Sequence, residues 1–185
     1  MYHIKNDKRA QASTELICAG LLACMKEKPF ARITITDVQH ASTVSRSTFY
    51  RNFDCLEDVL ALLCDRGFQA VFTAYNALPA AQRGNLPKAV FHYWFHNSAV
   101  LEALVQIHRT DILFDSLRRS SGLIEALQPL ADDPARFDYF VAIITSAMIG
   151  VLTVWVEHGK TETEDQMVQK LTSAFIEMAI LELPG

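Results

Sequence analysis

The sequence predicts an all-α protein in which a small three-helix domain is joined to a larger helical domain. Apolar residues recur at helical spacing through nearly all of the 185 residues, without strand-length alternation or an internal repeat. Half of the residues are apolar and 21% are charged, which is typical of a globular chain. A chain of this length has room for one small and one larger domain.

The first helix is predicted to run from about Ala10 to Lys28. Ile17, Leu21 and Cys24 lie at i, i+4 and i+7, and therefore on one apolar face. Pro29 follows and ends the helix, because proline does not continue one.

A long helix over residues 56–77 divides the chain into two predicted domains. Its apolar face continues for nearly five turns and stops before Pro79. Residues 1–55 form the predicted N-terminal domain. Residues 56–185 form the C-terminal domain, and helix 56–77 connects the two.

The C-terminal domain is predicted to contain helices over about residues 88–108, 112–120 and 122–130. A clearer pair covers residues 134–159 and a helix that opens with the capping box Thr163-Glu164-Asp165-Gln166. This pair predicts an antiparallel hairpin. The side chains predicted to face inward from the hairpin include Phe140, Met148, Trp155 and Met178.

Charge is distributed unevenly along the chain, although the net charge is only −4. Residues 1–53 hold 8 Lys/Arg against 4 Asp/Glu, whereas residues 54–185 hold 9 against 17. A basic segment attached to an acidic remainder is expected where one small domain meets phosphate and the rest does not.

The cysteines and the apolar runs indicate the cellular compartment. No two of the four cysteines form a C-x-x-C pair, so reduced, buried thiols are expected. Threonine and serine interrupt the longest apolar stretch, residues 140–156, which predicts no membrane span. We therefore expect a cytoplasmic protein with no membrane partner. The four cysteines are Cys18, Cys24, Cys55 and Cys64.

The segment from Ile33 to Phe53 fits two short helices joined by a tight turn. Thr36 or the residue before it is expected to cap the first helix, which ends near Ala41, and Ser45 to cap the second. With the first long helix, the two short helices complete the three-helix unit.

The second short helix presents a small, polar and basic face made by Arg46, Ser47, Tyr50 and Arg51. Such a surface suits a helix in the major groove of DNA, where arginine reads guanine edges and hydroxyl groups reach phosphates. An ordinary solvated helix face is the alternative interpretation of the same residues.

The order of these helices resembles the N-terminal domain of the TetR family of transcriptional regulators. The resemblance covers about residues 10–75 and rests on Val44-Ser45-Arg46-Ser47-Thr48-Phe49-Tyr50-x-x-Phe53. It implies a DNA-binding regulator and not an enzyme, with double-stranded DNA as the partner. The residues it implies for contact with bases and phosphates are Thr34, Thr36, Arg46, Ser47, Thr48, Tyr50 and Asn52.

Three positions depart from the pattern of the family. Thr43 occupies a turn position usually held by glycine, where a left-handed backbone costs a β-branched residue about 1 kcal/mol or more. Gln39 replaces a small alanine between the two short helices, and Leu56 replaces a lysine that contacts phosphate. These departures keep a second interpretation open, a TetR-like coactivator or protein-binding regulator that has lost operator binding.

The resemblance also implies that the chain beyond about residue 80 binds a small molecule and dimerises. The predicted function is a ligand-responsive repressor that binds a palindromic operator as a homodimer. Ser146, Gly150 and Thr153 form a stripe of small residues that lets another helix approach closely. With Leu171 and Phe175 on the next helix, they are the predicted dimer interface, a four-helix bundle of two hairpins.

The ligand is expected to be a small apolar molecule, because the C-terminal domain is rich in aromatic and soft side chains. Most of these side chains are expected in the core and not in a pocket. They are Tyr93, Trp94, Phe95, Phe114, Tyr139, Phe140, Met148 and Trp155.

His92 and His96 lie at i and i+4 on one predicted helix, a spacing that can chelate zinc. No nearby cysteine or acidic residue in the sequence supplies an obvious third ligand. Surface histidines are therefore expected, and neither a metal site nor a cofactor is predicted.

Overall fold

The computed structural model describes residues 2–4, 7–127 and 134–181, which form ten α-helices and no strand. The predicted all-α fold class is confirmed. Residues 128–130, the end of one predicted helix, lie outside the described residues. The helices are α1 (Lys8–Glu27), α2 (Ile35–Ser42), α3 (Arg46–Asn52), α4 (Leu56–Asn76), α5 (Leu86–His96), α6 (Ser98–Gln106), α7 (Thr110–Arg119), α8 (Ser121–Leu127), α9 (Pro134–Glu157) and α10 (Glu164–Leu181).

Helix α1 begins two residues earlier than the sequence predicts, because Asp7 caps it. The Asp7 carboxylate accepts a hydrogen bond from the Ala10 amide at 2.8 Å, which satisfies one of the free amides at a helix start. The helix ends where Lys28 turns to extended backbone ahead of Pro29.

Helix α1 approaches α2 closely because residue 20 is glycine. A Cβ atom at Gly20 would lie 2.8 Å from the Cβ atom of Ser42, closer than two side chains pack. Ile17 and Leu21 flank this contact and are fully buried. The glycine therefore sets the distance between the first two helices of the N-terminal unit.

Helix α4 provides much of the core for both ends of the molecule. It packs against α1, α5, α7 and α8. Phe68 stacks edge-on against Trp94 of α5, with ring centroids 5.2 Å apart. Gly67 accommodates the Tyr93 ring, which a Cβ atom would meet at 2.8 Å. The fully buried side chains of α4 include Val59, Leu60, Cys64 and Phe68.

Asp65 of α4 joins the N-terminal segment to α7. The Tyr2 hydroxyl donates to its carboxylate at 2.5 Å, and the Ser116 hydroxyl donates to the other oxygen of the same group. Arg119 lies 3.5 Å away. Burial and the bond to Asp65 raise the pKa of Tyr2 to about 12. The Tyr2 hydroxyl is therefore protonated and can donate its hydrogen bond at neutral pH.

The buried cysteines agree with the expectation of reduced structural thiols. Cys18, Cys24 and Cys64 are buried and unpaired, whereas Cys55 is half-buried. Burial raises the pKa of the Cys18 thiol to about 11 and also raises that of Cys64, which keeps both protonated and unreactive.

Helix α9 contains a longer apolar segment than the sequence analysis predicted. The segment Arg136–Glu157 has a mean hydropathy of 2.1 and is long and apolar enough to cross a membrane by length and composition. It instead packs partly inside the fold, against α6, α7 and α10. Met148 and Trp155 face inward as predicted, whereas Phe140 is 40% exposed and Met178 of α10 is 53% exposed. The hairpin therefore keeps an apolar outer surface.

Candidate nucleic-acid interface

Helix α2 is capped by Thr34, and not by Thr36 or Ile35 as the sequence pattern suggested. The Thr34 hydroxyl accepts from the Asp37 amide at 3.2 Å, and the Asp37 carboxylate accepts from the Thr34 amide at 2.7 Å. Lys28 and Thr34 bond to the Asp37 carboxylate and hold its pKa well below the usual value. The start of α2 is therefore closed by a reciprocal pair of bonds.

Thr43 makes the turn between α2 and α3 with φ 57° and ψ 16°, in the left-handed region. This is the conformation that glycine adopts without strain, so the turn keeps a left-handed geometry although the residue is β-branched. The Ser42 hydroxyl accepts from the Val44 amide at 3.3 Å and supports the turn.

Helix α3 is capped by Ser45, whose hydroxyl accepts from the Thr48 amide at 3.3 Å as predicted. Phe49 is 1% exposed and anchors the helix in the core, with Phe53 buried directly after it. Anchoring on this side leaves the opposite face of α3 to solvent.

The exposed face of α3 carries two arginines that pair with no carboxylate among residues 2–4, 7–127 and 134–181. The Arg46 guanidinium lies 5.5 Å from the centre of the Tyr50 ring and donates to its hydroxyl at 3.4 Å. Arg51 donates to the Thr48 hydroxyl at 3.1 Å. Both guanidinium groups are held by neutral partners, so their charges remain available to an anion.

A polar cavity of about 470 Å³ lies between the start of α1 and α3. The polar side chains that line it are Asp7, Arg9 and Ser13 from the start of α1, and Ser45, Ser47, Thr48, Arg51 and Asn52 from α3 and its cap. Guanidinium and hydroxyl groups are the side chains that contact phosphates in DNA complexes. The resemblance named neither Arg9 nor Ser13, whose place beside α3 depends on how α1 packs.

The structure separates the seven residues implied for DNA contact into three groups. Thr36, Arg46, Ser47 and Tyr50 are exposed. The hydroxyls of Thr34 and Thr48 already serve a helix cap and an arginine. Asn52 is 2% exposed, and its amide donates to the Thr48 carbonyl at 2.9 Å. Its side chain is bonded within α3 and contributes to the wall of the polar cavity, not to the exposed face of the helix.

The structure explains one of the other two departures. Leu56 is 8% exposed and belongs to the core, so the start of α4 presents no cation from this position. Gln39 is half-buried in α2, and nothing in the structure explains why it replaces a small residue there.

Comparison with known sequences and structures identifies the family. Residues 88–177 match the TetR_C_8 family model, described as "Transcriptional regulator C-terminal region". The chain belongs to the TetR family of transcriptional regulators. No curated protein sequence matches it significantly. TetR regulators are not enzymes, and membership of the family implies DNA binding. Both agree with what the N-terminal motif predicts.

Solved structures show the same fold at low sequence identity. Lin0861 from Listeria innocua aligns with a TM-score of 0.74 and 17% identity, over 95% of this chain and 96% of the other. A protein from Syntrophomonas wolfei described as a TetR-family regulator aligns with a TM-score of 0.65 and 18% identity, over 94% of this chain and 97% of the other. A TetR transcriptional regulator from Streptococcus agalactiae aligns with a TM-score of 0.57 and 19% identity, over 91% of this chain and 96% of the other.

The C-terminal part of this TetR regulator contains an open cavity of about 560 Å³ between α4, α5 and the start of α10. Val71, Ala74 and Leu78 supply apolar wall on the α4 side. Of the aromatic residues expected in or near a pocket, Tyr93 lines this cavity, whereas Trp94 is buried in the core. The size is within the range of small-molecule sites.

The turn at Thr43 yields a stability test. Thr43→Gly should raise the free energy of unfolding by about 1 kcal/mol or less, because relief of left-handed strain, about 1–2 kcal/mol, is partly offset by the entropy of glycine. Denaturant unfolding measures the change. Thr161→Gly is the control, since Thr161 lies in a loop without positive φ and should give no gain. A loss of stability in Thr43→Gly would contradict the assigned turn.

Proposed function

We propose that this TetR regulator binds double-stranded DNA through the exposed face of α3. The observation that carries the proposal is the pair of arginines, Arg46 and Arg51, held by neutral partners on a helix whose other side is buried. Arg46 and Tyr50 are placed to reach base edges and the nearby backbone, whereas Arg9 and Arg51 face the polar cavity where a phosphate would lie. Thr36 adds an exposed hydroxyl at the start of α2.

In this proposal, residues 1–55 form the DNA-binding domain and residues 56–185 the regulatory domain. The N-terminal charge excess supports the assignment, since phosphate attraction needs cations on one domain only. The mode of action is repression of a palindromic operator in the cytoplasm, without a membrane partner, and it is released by a small ligand. The open cavity beside α4 and α5 is the proposed ligand site.

Substitution of each arginine tests the DNA proposal. Arg46→Ala should weaken operator binding by about 1–3 kcal/mol and relax specificity, because a bidentate contact to a base is lost. Arg51→Ala should weaken binding to all sequences and reduce the salt slope by about one, as expected for a phosphate contact. Arg118→Ala is the matched control, since Arg118 is exposed on α7. Fluorescence anisotropy at several salt concentrations measures all three.

Two results would contradict DNA binding at α3. If the wild-type protein binds no genomic DNA at low salt, the coactivator interpretation is favoured. If Arg46→Ala and Arg51→Ala bind as Arg118→Ala does, another surface holds the DNA.

We propose further that the α9–α10 hairpin forms the homodimer interface. Large apolar side chains are exposed on both helices, including Ile143 at 55% and Ile176 at 55%. Gly150 faces open space, with no atom of the described residues within 4 Å of a Cβ atom built there, so packing within the described part of the chain does not explain a glycine at this helical position. A partner helix approaching at Gly150 and Ser146 would explain it.

The predicted interface residues have different exposures within one chain. Ser146 and Gly150 are exposed and Thr153 is partly exposed, so all three can meet a partner. Leu171 is 6% exposed and therefore packs mainly within its own chain. Phe175 is half-buried beside an apolar groove of about 470 Å³ between α9 and α10.

Charge placed on the hairpin tests the dimer. Ile176→Glu should raise the dimer dissociation constant roughly 30-fold or more, since burying a carboxylate in an apolar interface costs about 2 kcal/mol or more. Sedimentation velocity over a concentration series measures the constant. Ile124→Glu is the control, because Ile124 is a similarly exposed apolar residue on α8. A wild-type monomer at micromolar concentration, or equal effects of both substitutions, would contradict the proposed interface.

A further inference from the structure

The fold brings a third metal-ligating side chain to the His92 and His96 pair. Glu164 is distant in the sequence, but α10 packs against α5 and places its carboxylate beside both imidazoles. The His92 Nδ1 atom lies 2.9 Å from Glu164 Oε2, and the His96 Nδ1 atom lies 3.8 Å from Glu164 Oε1. The expectation that no acidic residue accompanies the histidines is therefore wrong.

We propose that His92, His96 and Glu164 bind one divalent transition-metal ion, with Zn²⁺ as the fitting member of that class. One possible ligand atom from each of the three side chains lies within 4.8 Å of the other two. Ligand atoms on one tetrahedral zinc ion lie roughly 3.3 Å apart, given bonds of about 2.0–2.1 Å. The two histidine–glutamate separations lie on either side of that value. Because His96 Nδ1 also lies 2.9 Å from the His92 carbonyl oxygen, the His96 ring must turn or bind the metal through Nε2.

The three side chains are held on two well-anchored helices. Both histidines lie one turn apart on α5, whose neighbouring residues Phe91 and Trp94 are buried. Glu164 is the first residue of α10, where the predicted capping box is present: the Gln166 amide donates to the Thr163 hydroxyl at 3.3 Å, and the Thr163 amide donates to Gln166 Oε1 at 2.8 Å. Ligands on rigid elements lose little conformational entropy on metal binding.

The ligand set favours zinc and related ions over calcium or magnesium. Imidazole nitrogen is a ligand for Zn²⁺, Cu²⁺ and Ni²⁺, whereas Ca²⁺ and Mg²⁺ require mostly oxygen ligands. Three protein ligands leave a fourth position for water or for a group on a bound molecule. Because the same three residues line the open cavity beside α4, that position is accessible to a cavity ligand with a metal-binding atom.

The inference goes beyond the proposed function and stands even if DNA binding fails, because the metal is titrated into the protein alone. Isothermal titration of tag-free protein with Zn²⁺ should give one ion per chain. Co²⁺ added in its place should give the visible absorption bands of a tetrahedral site. Circular dichroism of the metal-free variants establishes that each one is folded.

Substitution of single ligands decides the assignment. His96→Gln and Glu164→Gln should each raise the Zn²⁺ dissociation constant by about ten-fold or more, the loss that follows from removing even a hydrogen-bond partner of a ligand. His158→Gln is the matched control. His158 is also an exposed histidine beside a glutamate, with its Nδ1 atom 3.7 Å from Glu162 Oε1. It should leave the affinity unchanged.

Three outcomes would overturn the proposal. The first is no saturable Zn²⁺ binding by the wild-type protein. The second is equal affinity in the wild type, His96→Gln and Glu164→Gln. The third is an equal loss in His158→Gln, which would indicate general binding by surface histidines.

Discussion

The buried face of α4 is the constraint on which both ends of the molecule depend. The helix packs against α1, α5, α7 and α8, and its buried side chains include Leu60, Cys64 and Phe68. Each such side chain contributes about 1.5–3 kcal/mol on burial. Because the helix is closely packed against all of these helices, it cannot shift against one of them without disturbing its packing against the others.

This constraint links the proposed ligand site to the proposed DNA-binding face of α3. The open cavity lies against the second half of α4, and α4 also packs against α1, which in turn contacts α2 and α3. Polar contacts reinforce the connection, because Arg66 of α4 bonds to Glu15 of α1 at 2.6 Å and Asp65 joins Tyr2 to α7. A molecule in the cavity would therefore act on α3 through a rigid element and not through a flexible linker. The proposed metal site lies on the opposite wall, where α5 meets α10.

The sequence was most informative where local patterns determine the structure. Helical periodicity gave α1 and α4 within about two residues, and the Ser45 cap and the Thr163 capping box were visible as short motifs. Features that depend on long-range packing could not be read in the same way. Glu164 reaches the histidines only because α10 packs on α5, and nothing in the local sequence marks that contact.

The candidate site shows the same division. The motif identified the exposed face of α3 because its inward and outward residues alternate with helical period. It did not reveal that Asn52 is buried, which depends on how α3 packs against its neighbours, and it named neither Arg9 nor Ser13 across the polar cavity. Thr43 could be recognised as unusual from its residue type, and the structure shows that its backbone still takes the left-handed conformation.

We propose that two copies of this chain hold double-stranded DNA across a two-fold axis. The most direct test is to incubate the purified protein with fragmented genomic DNA, recover the bound fragments and sequence them. We expect enrichment of a sequence with two inverted half-sites, since a two-fold dimer presents the two α3 helices symmetrically. Recovery of no enriched sequence, or of a single half-site without its inverted repeat, would contradict it.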